Sequence, residues 1–209
     1  MKLTSESKFF IGIIAATAFI VIAAVILLSQ PQKPIAKNEL ITQMTNTIGN
    51  KDARVWLVEF SDFQCPACHA FANTIDELAL AHKDDLLIAY RHFPLPQHPL
   101  AQKTAIAAEA AGAQGKFWDM EKLLFDNQES ISDQTIASLA ASLSLNMTQF
   151  TKDNADPALK TLVINDKQYG EQLGLTATPT FFLNGVKLEV ASPDELKKKV
   201  ENALSINTN

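Results

Sequence analysis

Both cysteines of this 209-residue chain fall within one octapeptide, Gln64-Cys65-Pro66-Ala67-Cys68-His69-Ala70-Phe71. Two thiols three positions apart on a helix share a face and can close a disulfide within one turn. A structural cross-link gains stability by joining distant segments, so a pair this close, in a chain with no other cysteine, serves exchange or ligation instead. The octapeptide satisfies C-P-x-C, a thiol–disulfide centre, and also C-x-x-C-H, a covalent haem site with His69 as axial ligand and Met120 or Met147 available as the second. Zinc asks for about four ligands, and two thiolates with scattered His69, His92 and His98 are a poor set, so no metal is expected.

The local pattern puts Cys65 at a helix N-cap, with Pro66 suited to the first helical position. There its sulfur faces first-turn amides and the positive end of the helix dipole, both of which favour thiolate, the attacking species in disulfide exchange. Cys65 is therefore read as the nucleophile, and the more enclosed Cys68 as the resolving thiol. Glu59, six positions before Cys65, interrupts an apolar strand. A carboxyl buried there has a raised pKa and can shuttle the proton that Cys68 gains or loses. The alternative is a strand-end glutamate that reaches solvent or pairs with a lysine. Far downstream, Pro179 opens a strand, a position that tolerates proline.

These residues need a scaffold, and the hydrophobic pattern supplies one. Arg54-Val55-Trp56-Leu57-Val58-Glu59-Phe60 reads as a strand buried on both faces, residues 61–64 turn the chain, and Phe71, Ile75, Leu78 and Ala79 recur at helical spacing until about 82–85. Residues 86–93, LLIAYRHF, form a second strand, giving a β-α-β unit with a parallel pair. Helical patterns follow over 101–111, 117–125 and 132–143. A fourth has Asp156 as N-cap, Pro157 at N1 and Gly174 past its end. Then Thr180-Phe181-Phe182-Leu183 and 186–190 flank Asn184-Gly185, a strong hairpin signal. A final helix opens with a capping box, Ser192-Pro193-Asp194-Glu195. The C-x-x-C-H match sits in the wrong context, because it follows a long strand in a chain that later forms a hairpin, so His69 is read as a second-turn helical residue.

Composition bounds the rest. With 47% hydrophobic residues, 20% charge and a net charge of -5, the chain has an ordinary globular composition, and its scattered lysines and arginines lack the basic patch of a nucleic-acid binder. Residues 9–28, FFIGIIAATAFIVIAAVILL, contain no charge. As a helix they span about 30 Å, the thickness of a bilayer core, and no small-x-small cleavage site follows, so an uncleaved transmembrane anchor is expected rather than a signal peptide. Lys2 and Lys8 precede it against Glu6, and Lys33 and Lys37 follow, a slight lean toward N-terminus inside. The expected plan is a cytoplasmic segment 1–8, an anchor 9–28, a linker 29–45 and a folded domain 46–205.

Several motifs, in order, carry a resemblance. Ile48-Gly49-Asn50, then Val58-Glu59-Phe60-Ser61-Asp62-Phe63-Gln64-Cys65-Pro66-Ala67-Cys68, then Arg91-His92-Phe93-Pro94-Leu95 and His98-Pro99-Leu100-Ala101, then Gln114-Gly115-Lys116-Phe117-Trp118 and Thr178-Pro179-Thr180-Phe181 resemble the DsbA-like thioredoxin-fold disulfide oxidoreductases of bacteria. The resemblance implies an α/β thioredoxin-like fold with a helical insertion at about 99–174, preceded here by the single N-terminal transmembrane helix. It implies that Cys65 is the exposed nucleophile, Cys68 its buried partner and Glu59 the acid beneath them. Thr178-Pro179 then corresponds to a substrate-binding cis-proline loop, and Pro66 and Ala67 to the dipeptide that tunes the redox pair. Strongly oxidising members tend to carry histidine or a large aromatic there, and Ala177 stands where many relatives have glycine. The resemblance further implies no organic cofactor, unfolded or partly oxidised protein substrates, a quinone-coupled membrane oxidase as partner and an extracytoplasmic catalytic domain. A reductase or isomerase of the same fold, a c-type haem carrier and a redox-inert chaperone are the competing readings.

Overall fold

The computed structural model describes residues 5–28 and 33–206. These divide into two compact units, one ending at Pro34 and the other beginning at Ile35. The first contains a single helix, α1, Ser5–Leu28. Its described side chains are those of residues 10–23, nearly all exposed and apolar. Among the described residues no helix is long and apolar enough to cross a membrane. The uncharged run 9–28 extends beyond the described side chains at both ends. Of the expected cytoplasmic segment and linker, residues 1–4 and 29–32 lie outside the described residues.

The second unit is built on a five-stranded sheet of β1 (Asn46–Gly49), β2 (Val55–Ser61), β3 (Leu86–His92), β4 (Thr180–Leu183) and β5 (Val186–Lys187), in the order β1-β3-β2-β4-β5. Only β2 and β3 are parallel, and helix α3, Pro66–Ala81, makes their crossover. All seven residues of β2 are buried because both faces of the sheet are covered. Alternation sends Val55, Leu57 and Glu59 to the face packed by Phe71 and Ile75 of α3 and by Leu196 and Val200 of α9, Pro193–Ile206. Trp56, Val58 and Phe60 turn to the opposite face, against Leu40, Phe93 and Leu175. The carboxyl of Glu59 is thus aimed beneath α3 by strand periodicity alone.

Five α-helices and one 3-10 turn separate β3 from β4: α4 (Ala101–Gly112), α5 (Phe117–Asp126), Gln128–Ser130, α6 (Asp133–Ser142), α7 (Met147–Asn154) and α8 (Pro157–Gln172). The alanines of α4 let its neighbours approach closely, and Ala105, Ala107, Ala108, Ala110 and Ala111 are all buried. Capping fixes the boundaries. Ser132 accepts from Thr135 N at 3.1 Å, Asp156 Oδ1 accepts from Ala158 N at 2.8 Å, and at α9 Ser192 Oγ accepts from Glu195 N at 3.2 Å while Glu195 Oε2 accepts from Ala191 N at 2.9 Å.

Three features differ from the sequence reading. Residues 35–40, read as linker, belong to the folded unit. Ile35 N donates to Gly185 O at 2.9 Å, and Leu40, in the short helix α2 (Lys37–Leu40), is fully buried. Helix α7 was not anticipated, since Phe150 is its single buried residue and so short a helix shows little periodicity. The second hairpin strand ends at Lys187 rather than at 190, after two register pairs. The turn itself is as read: Asn184 (φ 49°) and Gly185 (φ 83°) both take the left-handed conformation of a type I′ turn. A side chain at Gly185 would also collide with the Ile35 carbonyl.

Candidate active site

The loop between β2 and α3 is held from two directions before the cysteines are reached. Asp62, fully enclosed, uses Oδ1 to accept from Gln64 N at 2.8 Å and Oδ2 to accept from Leu95 N at 2.8 Å, with His98 Nδ1 at 2.7 Å. Gln64 Oε1 accepts from Leu100 N at 2.6 Å. From the insertion, Gln128 Nε2 donates to the carbonyls of Phe63 at 2.8 Å and Cys65 at 3.0 Å. The backbone that presents Cys65 is thereby fastened to the β3–α4 loop and to the helical layer.

Cys65 occupies the N-cap of α3 with extended backbone, and Pro66 is the first helical residue, as expected. No side-chain hydrogen bond closes at this cap, so the amides are not its leading support. Cys65 is drawn from an ordinary thiol value down to about 5, first by a hydrogen bond from the Cys68 thiol. Partial burial opposes this, while the amides of Cys68 and Ala67 add to it. Cys68, wholly buried, is pushed well above the ordinary thiol range by desolvation, by the same thiol–thiol hydrogen bond and by the charges of Glu59 and Cys65. The two cysteines, both free thiols, are thus split into a thiolate at the surface end and a protonated thiol behind it.

The Thr178–Pro179 bond is cis, and Cys65 Sγ lies 3.4 Å from the Thr178 carbonyl oxygen. The loop opening β4 therefore abuts the sulfur. Pro66, Ala67 and His69 are exposed around it, and His69 stacks on Phe125 with ring centroids 6.2 Å apart. Met120 is buried in the core of the helical layer. Among the described residues no three His, Cys, Asp or Glu side chains come together as metal ligands.

Beneath the pair, Glu59 is only 3% exposed and its carboxyl is pushed up to about 7, chiefly by burial, with the charges of Cys65 and Asp76 adding to the rise. It is not a strand-end glutamate in solvent. Two further buried groups feel the charge of Glu59. Tyr90, paired with Glu59 across the β2–β3 ladder, and Glu121, from α5, are held well above their ordinary values by burial and by the charge of Glu59. The hydroxyls of Ser61 and Tyr90 are buried with no hydrogen-bond partner among the described residues.

A family described as thioredoxin matches residues 41–202. The chain belongs to this thioredoxin family. Among curated proteins it is similar to the Na(+)/H(+) antiporter NhaA 1 of Mycolicibacterium vanbaalenii, 41% identical over 142 residues, which cover 66% of this chain and 23% of that protein. It is also similar to the antiporter NhaA of Herminiimonas arsenicoxydans, 36% identical over 140 residues covering 67% and 22%. The match thus spans under a quarter of the length of these relatives. Among solved structures it shares its fold with the thiol–disulfide exchange protein alpha-DsbA2 from Wolbachia pipientis (TM-score 0.71, 22% identity, 80% of this chain and 91% of that one). Oxidised BdbD from Bacillus subtilis gives a TM-score of 0.70 at 21% identity, over 83% and 100%. The fold of this chain is of the type that alpha-DsbA2 carries.

Sequence reasoning singled out Cys65, Cys68, Glu59 and Thr178-Pro179, and the structure sets Cys65 beside Cys68 and the Thr178 carbonyl, with Glu59 buried in β2. It did not single out Tyr90, Asp62, Gln128 and Glu121. Glu121 had left a signal: it falls on the buried stripe Phe117, Met120, Glu121, Leu124 of α5, where helical periodicity calls for an apolar residue.

Proposed function

We propose that the protein is a membrane-tethered oxidase that forms disulfides in extracytoplasmic proteins through the Cys65–Cys68 pair. The observation that carries this reading is the setting of the pair: Cys65 at the N-cap of α3 with its Sγ 3.4 Å from the carbonyl of the cis Thr178–Pro179 loop, and Cys68 fully buried behind it, an arrangement in which the Cys65 thiol is drawn down to about 5. A thiolate stabilised at neutral pH stabilises the reduced pair, so the corresponding disulfide is a stronger oxidant. An oxidant of this kind belongs outside the reducing cytosol. A substrate thiolate attacks Cys65 Sγ of the disulfide, and Cys68 leaves as thiolate and takes up a proton with Glu59 as donor. The second substrate thiolate then releases Cys65. Reoxidation follows by exchange with a quinone-coupled membrane oxidase. The Thr178-Pro179 loop receives the extended substrate chain beside the sulfur.

The uncharged run 9–28 supports the anchor, and α1 carries exposed Phe10, Ile14, Phe19 and Ile20 among its described side chains. The curated relatives are Na(+)/H(+) antiporters by name and carry a stretch similar to this domain, which supports a membrane setting. Retention of the full chain in the membrane pellet after alkaline carbonate washing tests the anchor, and release into the wash refutes it.

The redox potential of the pair against glutathione tests the direction. A value above the glutathione poise fits an oxidase, and one well below it makes the protein a reductase. Cys65→Ser abolishes exchange, whereas Cys68→Ser accumulates mixed disulfides that survive non-reducing electrophoresis; a Cys68→Ser protein that turns over normally would refute the assigned roles. Ala67→His, which adds a donor beside the thiolate, raises the potential.

A further inference from the structure

The four residues that lead into α3 are held from two sides in alternation. Asp62 and Gln64 bond to the β3–α4 loop, through Leu95 N at 2.8 Å, His98 Nδ1 at 2.7 Å and Leu100 N at 2.6 Å. Phe63 and Cys65 turn their carbonyls to the helical insertion, and one carboxamide serves both: Gln128 Nε2 donates to Phe63 O at 2.8 Å and to Cys65 O at 3.0 Å. Only the nitrogen end of an amide carries two donors, so these partners fix the orientation of Gln128. The Cys65 carbonyl also accepts from His69 N at 3.2 Å, the first bond of α3. The carboxamide therefore grips the helix at the residue that carries the reactive sulfur, on a carbonyl that the helix already satisfies, so burial alone does not call for the bond.

The far end of the grip is itself fixed. Gln128 opens the 3-10 turn that follows α5, where Asn127 Nδ2 donates to Leu123 O at 2.9 Å and Ser130 O accepts from Thr135 Oγ1 at 2.7 Å. Three residues earlier the buried Phe125 ring meets two rings of the same loop and helix. Its centroid lies 5.2 Å from that of Phe63 and 6.2 Å from that of His69, whose ring is nearly parallel to it at 7°. Residues 125 and 128 of the insertion thus touch residues 63, 65 and 69. His69, offered by the C-x-x-C-H pattern as a haem ligand, uses its ring for this contact instead.

We propose that Gln128 is a positioning residue of the redox pair: from the helical insertion it fixes the Cys65 carbonyl, holds the sulfur at the N-cap beside Cys68, and so sets how far the reduced pair is favoured over its disulfide. The proposal rests on the exchange chemistry assigned to Cys65 and Cys68 and names a residue that tunes it through the backbone of Cys65. The sign follows from what holds the sulfur in each state. As a thiolate it draws on the Cys68 thiol and on the amides of Cys68 and Ala67, bonds that weaken steeply as distance and angle depart from their best values. In the disulfide a covalent bond of about 2 Å holds the sulfur against Cys68 whatever the carbonyl does. Loss of the carboxamide therefore weakens the reduced form more than the oxidised one.

The test equilibrates the full-length protein with glutathione buffers and titrates the Cys65 thiolate by ultraviolet absorbance. Gln128→Met keeps the length of the side chain without its donors, and Gln128→Asn keeps the donors on a stem one methylene too short to reach both carbonyls. Each should move the equilibrium about fivefold toward the disulfide, the size of one net hydrogen bond, and raise the Cys65 titration midpoint by about 0.7 unit. Each should stay folded, since Gln128 is only half-buried and His69 N still satisfies the Cys65 carbonyl. Lys103→Ala, which breaks the exposed 2.9 Å bridge from α4 to Asp133 of α6 within the same insertion, should move neither. An equilibrium within twofold of the parent in both Gln128 variants, or an equal shift in Lys103→Ala, overturns the clamp while leaving the exchange activity standing. A parent protein that does not equilibrate with glutathione overturns the exchange reading itself, and the clamp with it.

Discussion

Adjacent residues of β3 face opposite sides of the sheet, and the two buried ionisable clusters they join are built on opposite terms. On one side Arg91 donates through Nε to Asp166 at 2.7 Å and through a terminal nitrogen to Leu40 O at 2.8 Å, with the rings of Tyr169 and Phe60 5.0 and 5.5 Å from its guanidinium carbon. The other oxygen of Asp166 accepts from His92 N at 3.0 Å. On the other side Tyr90 joins Glu59 and Glu121, and the Tyr90 and Ser61 hydroxyls lack partners. The first cluster is an ion pair closed by direct hydrogen bonds, and the second holds carboxyls with no ion pair among the described residues. Burial is common to both, and so is a buried hydroxyl without a partner, Tyr169 on one side and Tyr90 on the other, so neither alone marks function; the carboxyl without a cation does.

The largest expected effect comes from breaking the paired side. Arg91→Met leaves Asp166 buried without its cation and should lower unfolding free energy by about 3–5 kcal/mol in urea titration, whereas Arg91→Met/Asp166→Leu should recover most of it. If the single variant loses under about 1 kcal/mol, the contrast collapses from the structural side.

Glu59→Gln tests the unpaired side. Exchange should slow about a hundredfold with the domain still folded, and a rate unchanged across pH 5 to 8 would make Glu59 merely structural. The same residue sets a pH dependence of stability. Its folded value of about 7 exceeds its ordinary 4.5, so between these values the folded chain binds more protons than the unfolded one. Stability from this group is fully present below about 4.5 and falls as pH rises through 7, by about 3 kcal/mol in total. Denaturant midpoints measured across that window should show the decline in the parent and lose it in Glu59→Gln.

The smallest effect is expected at Tyr90→Phe. Removing a buried hydroxyl that has no partner should leave stability unchanged or raise it by about 1 kcal/mol. A loss of more than that would show that the phenol is satisfied in solution and that this side is better paired than it looks.

Much of the site was legible because it rests on short-range rules. Two cysteines at i and i+3, proline at N1, a strand before them and Asn-Gly in the hairpin each act within a few residues, and periodicity then aims Glu59 beneath α3. What escaped depends on which helix lands where. Nothing near Glu121 in sequence reveals that α5 sets Phe117 and Trp118 against Tyr90 of β3, and Gln128 reaches Phe63 across 65 positions. Residues 35–40 looked like tether because their anchors, Gly185 and Arg91, arrive late in the chain.

The thiol–thiol hydrogen bond that leads the stabilisation of Cys65 makes the nucleophile's strength a loan from its partner. A variant meant to capture substrates must therefore preserve a donor at position 68. Cys68→Ser keeps a hydroxyl to point at the thiolate, whereas Cys68→Ala removes the resolving group and weakens the attacking one together. A capture experiment with alanine would return few partners for a reason unrelated to which proteins the enzyme meets.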